Sequence, residues 1–157
     1  MTFRVGIGVD AHALEDGVPL VLGGVRLDHP RGLAGHSDGD VLAHALTDAV
    51  LGAAGLGDIG SLFPPDDERY RGADSLELLR EAYRHVREAG WTLVNADCVL
   101  VGEEPRIAAH RDEMRRRLGE AVGGGEVNVR ATTTDRLGFT GRGEGLAAHA
   151  VALLEGE

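Results

Sequence analysis

Asp10 and His12 lie two residues apart at the end of a segment in which Phe3, Val5, Ile7 and Val9 alternate with small or polar residues. That alternation is a strand's, and its period of two sends both side chains to one face. A carboxylate beside an imidazole suits a divalent metal, but a solvated strand end has the same look. Farther along, Asp40, His44 and Asp48 stand at i, i+4 and i+8 along an almost wholly apolar segment that runs to Ala53, forming one thin helical stripe. A polar stripe is ordinarily a solvated face. A histidine with a carboxylate one turn away on each side also resembles a ligand whose ring is oriented by acidic neighbours. Asp10, His12 and His44 together would make a set of two imidazoles and a carboxylate with a fourth tetrahedral position open, the pattern of a catalytic rather than a structural zinc. Spacing alone leaves their convergence open.

Two further clusters suit anions. Gly35 to Asp40 is acidic but lacks the spacing and terminal glutamate of an EF-hand. Ser37 and Asp40 have the interval of a capping box, so His36, Ser37 and the first N–H groups of a helix could face an anion, or form a cap and nothing more. Thr132, Thr133 and Thr134 leave a strand, and Gly138-Phe139-Thr140-Gly141-Arg142-Gly143 follows. Hydroxyls, free N–H groups and a guanidinium are what a diphosphate needs. A ligand-free turn cluster is the alternative, and the absence of any lysine rules out a P-loop.

These residues need a scaffold, and 157 residues suffice for one domain with a core that requires no covalent staples. The single thiol, Cys98, excludes an intrachain disulfide and suits a reducing compartment. The formal charge of −10 argues against generic nucleic-acid binding. No apolar run is long enough to span a bilayer and no signal peptide is visible, so a cytoplasmic protein is expected. Beyond the opening strand, Pro19 to Leu27 reads as a hairpin around Gly23-Gly24. Helices are expected over about 39–54, 74–89, 105–122 and 144–154, strands over 92–101 and 127–132, and a loop over 55–67. The order suggests an α+β fold, a mixed sheet with helices layered on one face.

Taken together, Asp10-x-His12, His36-Ser37-Asp38-Gly39-Asp40 with His44, Asp58-Ile59-Gly60, Phe63-Pro64, and Thr132 through Gly145 resemble the 2-C-methyl-D-erythritol 2,4-cyclodiphosphate synthases. The resemblance covers nearly the whole chain, in order. It implies a single synthase domain over 1–157, assembled as a homotrimer with active sites between subunits, in the methylerythritol phosphate route to isoprenoids. The implied reaction is a lyase reaction on 4-diphosphocytidyl-2-C-methyl-D-erythritol 2-phosphate. Its 2-phosphate attacks the β-phosphorus of its own diphosphate, and CMP leaves. The resemblance makes Asp10, His12 and His44 the ligands of one Zn2+ per subunit, and Mg2+ or Mn2+ a second ion on the phosphates. His36 and Thr133 become transition-state stabilisers. Asp10, Ala11 and His12, then His36 and Ser37, Asp58, Ile59 and Gly60, and Phe63, Pro64, Pro65, Asp66 and Asp67 become contacts of the phosphate and erythritol part. Gly102, Glu103, Glu104, Pro105, Arg106, Ile107 and Ala108, with Thr132, Thr133, Thr134 and Asp135, would hold the cytidine diphosphate, and Phe139 and Arg142 would add further contacts.

Three positions depart from the family's habit: Asp135 for a frequent Glu, Arg106 for a frequent Lys and Pro65 for a common Asp. The first shortens a carboxylate's reach, the second changes the shape of a charge, and the third removes a polar contact. Two other readings share the same residues. One is a metal-dependent phosphohydrolase in which water attacks, the other a non-catalytic trimer that binds isoprenoid diphosphates.

Overall fold

The computed structural model describes residues 1–157. A long strand β1 (Thr2–Asp16) is followed by a small hairpin, β2 (Leu20–Leu22) and β3 (Val25–Leu27), and by β4 (Arg31–Leu33). Helix α1 (Val41–Ala54), the one-turn α2 (Ile59–Leu62) and helix α3 (Ser75–Glu88) come next. Then β5 (Trp91–Val101), α4 (Arg111–Ala121), β6 (Glu126–Thr132), the one-turn α5 (Gly138–Gly141) and β7 (Gly145–Gly156) complete the chain. The main sheet has the order β4-β1-β7-β5-β6, antiparallel except for the parallel pair β5–β6. Helices cover one face, so the expected α+β class and mixed sheet are present. No helix is long and apolar enough to cross a membrane.

Helix α1 is the centre of the molecule. It is apolar almost all round, as a helix buried on every side must be, and lies against β1 and β7 on one side and α3 on the other. The sheet meets it with small residues. A Cβ at Gly6 would overlap the carbonyl oxygen of Ala49, and one at Gly8 that of Ala45. Opposite them, Ala148, Ala150 and Ala152 of β7 are buried. Close approach of the helix backbone to the strands is therefore written into side-chain size.

The same requirement explains one failed expectation. The segment 144–154, rich in Ala and Leu, reads as a helix but is β7, paired along its length with both β1 and β5. Leu146, Ala148, Ala150, Ala152 and Leu154 point into the core, while His149 and Val151 point away. Apolar residues on both faces hide the period of two, and alanine is there for closeness rather than for helix propensity. Two boundaries also shift. Helix α1 begins at Val41, with Asp40 rather than Ser37 as its cap. The helix expected from residue 105 begins at Arg111, after a single 3-10 turn at Ala108–His110, because a continuous apolar stripe starts only with Met114 and Leu118. Within the expected loop 55–67 lies the short α2, capped by Asp58.

The glycine contacts generate opposite expectations for two substitutions. Gly8→Ala should destabilise by about 3 kcal/mol or more, because backbone must move. Gly52→Ala, on the exposed side of α1 with only the Ile7 carbonyl oxygen 3.9 Å from the added Cβ, should stabilise by about 1 kcal/mol. Urea unfolding of both variants checks the signs.

Candidate metal centre and substrate cleft

Two elements bring the first cluster together. β1 directs Asp10 and His12 to its helix-facing side, and α1 presents His44 to the same point. Asp10 Oδ2 stands 3.0 Å from His12 Nε2 and 3.0 Å from His44 Nδ1, and the two ring nitrogens are 3.4 Å apart. Burial pushes the Asp10 carboxyl up, but hydrogen bonds and charge from both histidines outweigh it and hold the group at about 2. His12 is raised by its hydrogen bond to Asp10, against the opposing effect of burial, with a backbone hydrogen bond at Ala34 adding to the rise. One carboxylate oxygen and two imidazole nitrogens within 4.8 Å of one another form a compact potential ligand set, and the O/N character of the set suits zinc. His44 also turns its other nitrogen away: Nε2 is 2.7 Å from Ser75 Oγ and 3.1 Å from Ser37 Oγ. Nδ1 is therefore the nitrogen available to an ion, and the residues fit one.

The carboxylates expected to flank His44 do something else. Asp40 is fully buried, and its carboxylate accepts the N–H groups of Gly23, Gly24 and Ala43 at 2.9, 2.8 and 3.1 Å. It fastens the β2–β3 turn to the start of α1. Burial pushes its carboxyl up to about 6 against the downward pull of these bonds. Asp48 accepts the Ile59 N–H at 2.7 Å and so anchors the Asp58-Ile59-Gly60 turn. The helical stripe is present as expected, but tertiary partners claim its acidic ends. The hydroxyls of Ser75 and Ser37 take the expected place beside His44. Ser75 lies 31 residues away at the start of α3, and no spacing in the sequence signals it.

Around the triad a cleft of about 240 Å³ is lined by His36, Ser37, Ile59, Gly60, Phe63 and Pro65. His36 Nε2 donates to the Asp67 carbonyl at 2.9 Å, tying this wall to the segment beyond Phe63. Tyr70 and Leu78 complete the lining and were not anticipated. Asp58, Pro64, Asp66 and Asp67 flank the cleft without lining it. Asp58 spends its carboxylate on the Ser61 N–H at 2.8 Å.

A second hollow, of about 280 Å³, brings Gly102, Glu103, Pro105, Arg106, Ile107 and Ala108 beside Thr132 and Thr133. Glu103 accepts the Thr134 N–H at 3.2 Å, while Glu104 stays outside the lining. Asp135 and Arg136 both have positive φ, 54° and 66°, which turns the chain sharply after the threonines. Phe139 lies with Ala11 and His12 at another shallow depression, and Arg142 is paired with Glu144.

The two hollows do not meet in one chain. β1, β5 and β6 run in the same direction, so their C-terminal ends share one edge of the sheet. Along that edge Ala11, Ala147, Val101 and Thr132 form one row, which puts three strand spacings, roughly 14 Å, between the two halves. The row's side chains face away from the helices, whereas Asp10 and His12 face α1.

Residues 3–155 match the model of the YgbB family. Among similar proteins, the 2-C-methyl-D-erythritol 2,4-cyclodiphosphate synthase of Rubrobacter xylanophilus is 61% identical over 158 residues, covering 98% of this chain and 95% of that protein. That of Moorella thermoacetica is 59% identical over 153 residues, covering 96% and 94%. Among solved structures, the bifunctional IspDF from Campylobacter jejuni aligns with a TM-score of 0.94 at 43% identity over 99% of this chain, which spans only 43% of that longer protein. A CDP-bound 2C-methyl-D-erythritol-2,4-cyclodiphosphate synthase aligns with a TM-score of 0.87 at 41% identity, covering 97% of this chain and 100% of that one.

The ligand set makes a direct prediction. Calorimetric titration of the chelator-treated protein should show one Zn2+ per chain at the triad, with a rise in Tm on binding. His44→Ala should abolish that binding and leave the fold intact.

Proposed function

The chain belongs to the YgbB family, and from that membership we propose that it forms 2-C-methyl-D-erythritol 2,4-cyclodiphosphate and CMP from 4-diphosphocytidyl-2-C-methyl-D-erythritol 2-phosphate, as a cytoplasmic phosphorus–oxygen lyase built of one domain, 1–157. The observation that carries the reading is the pair of hollows at one sheet edge: a triad able to hold a metal in one, and in the other threonine hydroxyls with the Gly102–Ala108 turn. In the proposed step an oxygen of the 2-phosphate bonds to the β-phosphorus, the bond from that phosphorus to the bridging oxygen breaks, and the oxygen departs with CMP. The nucleophile is already ionised, so no carboxylate of the chain need act as a base. Nucleophile and leaving group belong to one molecule, and the task of the protein is to fold it and to tolerate charge.

Asp10, His12 and His44 would hold Zn2+, which when bound supplies Lewis-acid stabilisation of phosphate oxygens, and Mg2+ or Mn2+ is the proposed second ion. His36, its Nε2 engaged by the Asp67 carbonyl, is held at the cleft wall. It and Thr133 are the proposed transition-state stabilisers. Ser37, Ile59, Gly60, Phe63 and Pro65 would contact the erythritol phosphate part from the cleft lining, and Ala11, Asp58, Pro64, Asp66 and Asp67 from its rim. Gly102 to Ala108 and Thr132 to Asp135 would take the cytidine diphosphate, with Phe139 and Arg142 beyond.

A substrate that occupies both hollows is proposed to lie between two copies of the chain, since one chain sets them three strand spacings apart along the sheet edge. The helix-free face of the sheet supports such an assembly. Val5, Ile7, Val9 and Val151 are about half exposed or more on it, an apolar patch of the kind that marks an interface. We assign it to a homotrimer, the trimer number resting on the family resemblance.

Phosphorus NMR of the protein with substrate, Zn2+ and Mg2+ tests the reaction. CMP with two coupled diphosphate signals is the expected result. CMP with a linear erythritol bisphosphate would instead make the protein a phosphohydrolase. Thr133→Ala should lower turnover roughly 10²-fold, the usual effect of losing one transition-state donor. Ile7→Asp should yield monomers in sedimentation that still bind zinc but turn over no substrate.

A further inference from the structure

His44 has two ring nitrogens, and only one can serve the triad. Nδ1 faces Asp10 Oδ2 at 3.0 Å, so everything there depends on whether Nδ1 carries a proton or a lone pair. What decides this lies behind the ring. Nε2 stands 2.7 Å from the Oγ of Ser75, a fully buried residue at the start of α3, and that hydroxyl is hydrogen-bonded to Asp38 Oδ1. Both oxygens of Asp38 already accept backbone N–H groups, that of Asp40 at Oδ1 (3.1 Å) and that of Ser75 at Oδ2 (3.0 Å). The carboxylate is thus surrounded by donors and accepts from the Ser75 hydroxyl too.

A hydroxyl has one proton to give. Once Ser75 gives it to Asp38, its oxygen can only accept from His44, so Nε2 carries a proton and Nδ1 is left as the nitrogen that meets Asp10 or an ion. The opposite polarity would leave Asp38 Oδ1 facing a lone pair of the Ser75 hydroxyl. Ser37 Oγ, 3.1 Å from Nε2 and 3.4 Å from Ser75 Oγ, is the longer contact of both groups.

We propose that Asp38 and Ser75 form a one-way hydrogen-bond relay that sets the tautomer of His44, which makes both of them positioning residues of the metal centre. The purpose of the relay rests on the metal reading above; its direction rests on the hydrogen bonds alone. Metal-ligating histidines commonly donate their second nitrogen to a carboxylate or carbonyl. Here a buried hydroxyl is interposed, so the carboxylate acts at one remove and the relay reaches across from α1 to the cap of α3.

Long-range proton–nitrogen NMR of the imidazole rings reads the tautomer in the metal-free and the zinc-loaded protein. In the metal-free wild type His44 should be protonated at Nε2. Asp38→Ala returns the Ser75 proton to the ring side and should move His44 toward the Nδ1–H form, whereas Ser75→Ala should leave a mixture. Zinc affinity, measured by competition with a chelator, should fall roughly 10–100-fold in both variants, and further in Asp38→Ala. A loss of affinity caused by structural damage alone would not reverse the tautomer. A wild-type His44 bare at Nε2 would overturn the relay without any variant being made, and so would variants that keep both the wild-type tautomer and the zinc affinity. Zinc bound elsewhere, with the His44 tautomer as stated, would overturn the metal reading and leave the relay standing.

Discussion

The site depends on one constraint: a carboxylate oxygen and two imidazole nitrogens are held about 3 Å apart, each able to offer an electron pair to the same point. Such a meeting is unfavourable unless a proton or a cation lies among them, and the scaffold prevents it from relaxing. Asp10 and His12 cannot part because they share a face of one strand. His44 cannot retreat because α1 is buried on almost every side and its other ring nitrogen is engaged by Ser75 and Ser37.

That constraint reaches through the rest of the fold. To bring His44 to β1, α1 must lie nearly in contact with the strand backbone, which is why Gly6 and Gly8 face it and alanines line the neighbouring strand. Asp40 fixes the start of the helix and at the same time ties down the β2–β3 turn, a buried charge retained because three N–H groups need it. Asp48 does the same for the turn that begins at Asp58. Of this helical stripe, Asp48 thus supports a wall of the cleft and Asp40 the neighbouring turn, and only His44 is left to the ligand set.

How much of this was legible in the sequence follows from the same physics. The strand β1, the Gly23-Gly24 hairpin and α3 announce themselves because each has two unlike sides or a plain turn signal, and α1 because its long apolar run carries one thin polar stripe. β7 does not, since both of its faces are apolar and its helix-facing side must be small, so its alanines imitate a helix. The triad could be assembled from spacing only as a possibility, and the family resemblance singled it out. Ser75 and Asp38 were invisible as site residues: a serine after a helix-capping Asp74 and an aspartate in a polar loop look like local capping, and only the packing of α3 against α1 brings them to the histidine. The separation of the two hollows was equally out of reach, because it comes from strand order.

Anomalous diffraction at the zinc edge on crystals grown with Zn2+ tests the central claim most directly. A single peak per chain, bonded to Asp10 Oδ2, His12 Nε2 and His44 Nδ1, with Thr132 and Thr133 of a neighbouring copy across the cleft, is the result this account requires. A peak bonded through His44 Nε2, a zinc away from the triad, or a triad with no metal in zinc-saturated crystals would contradict it.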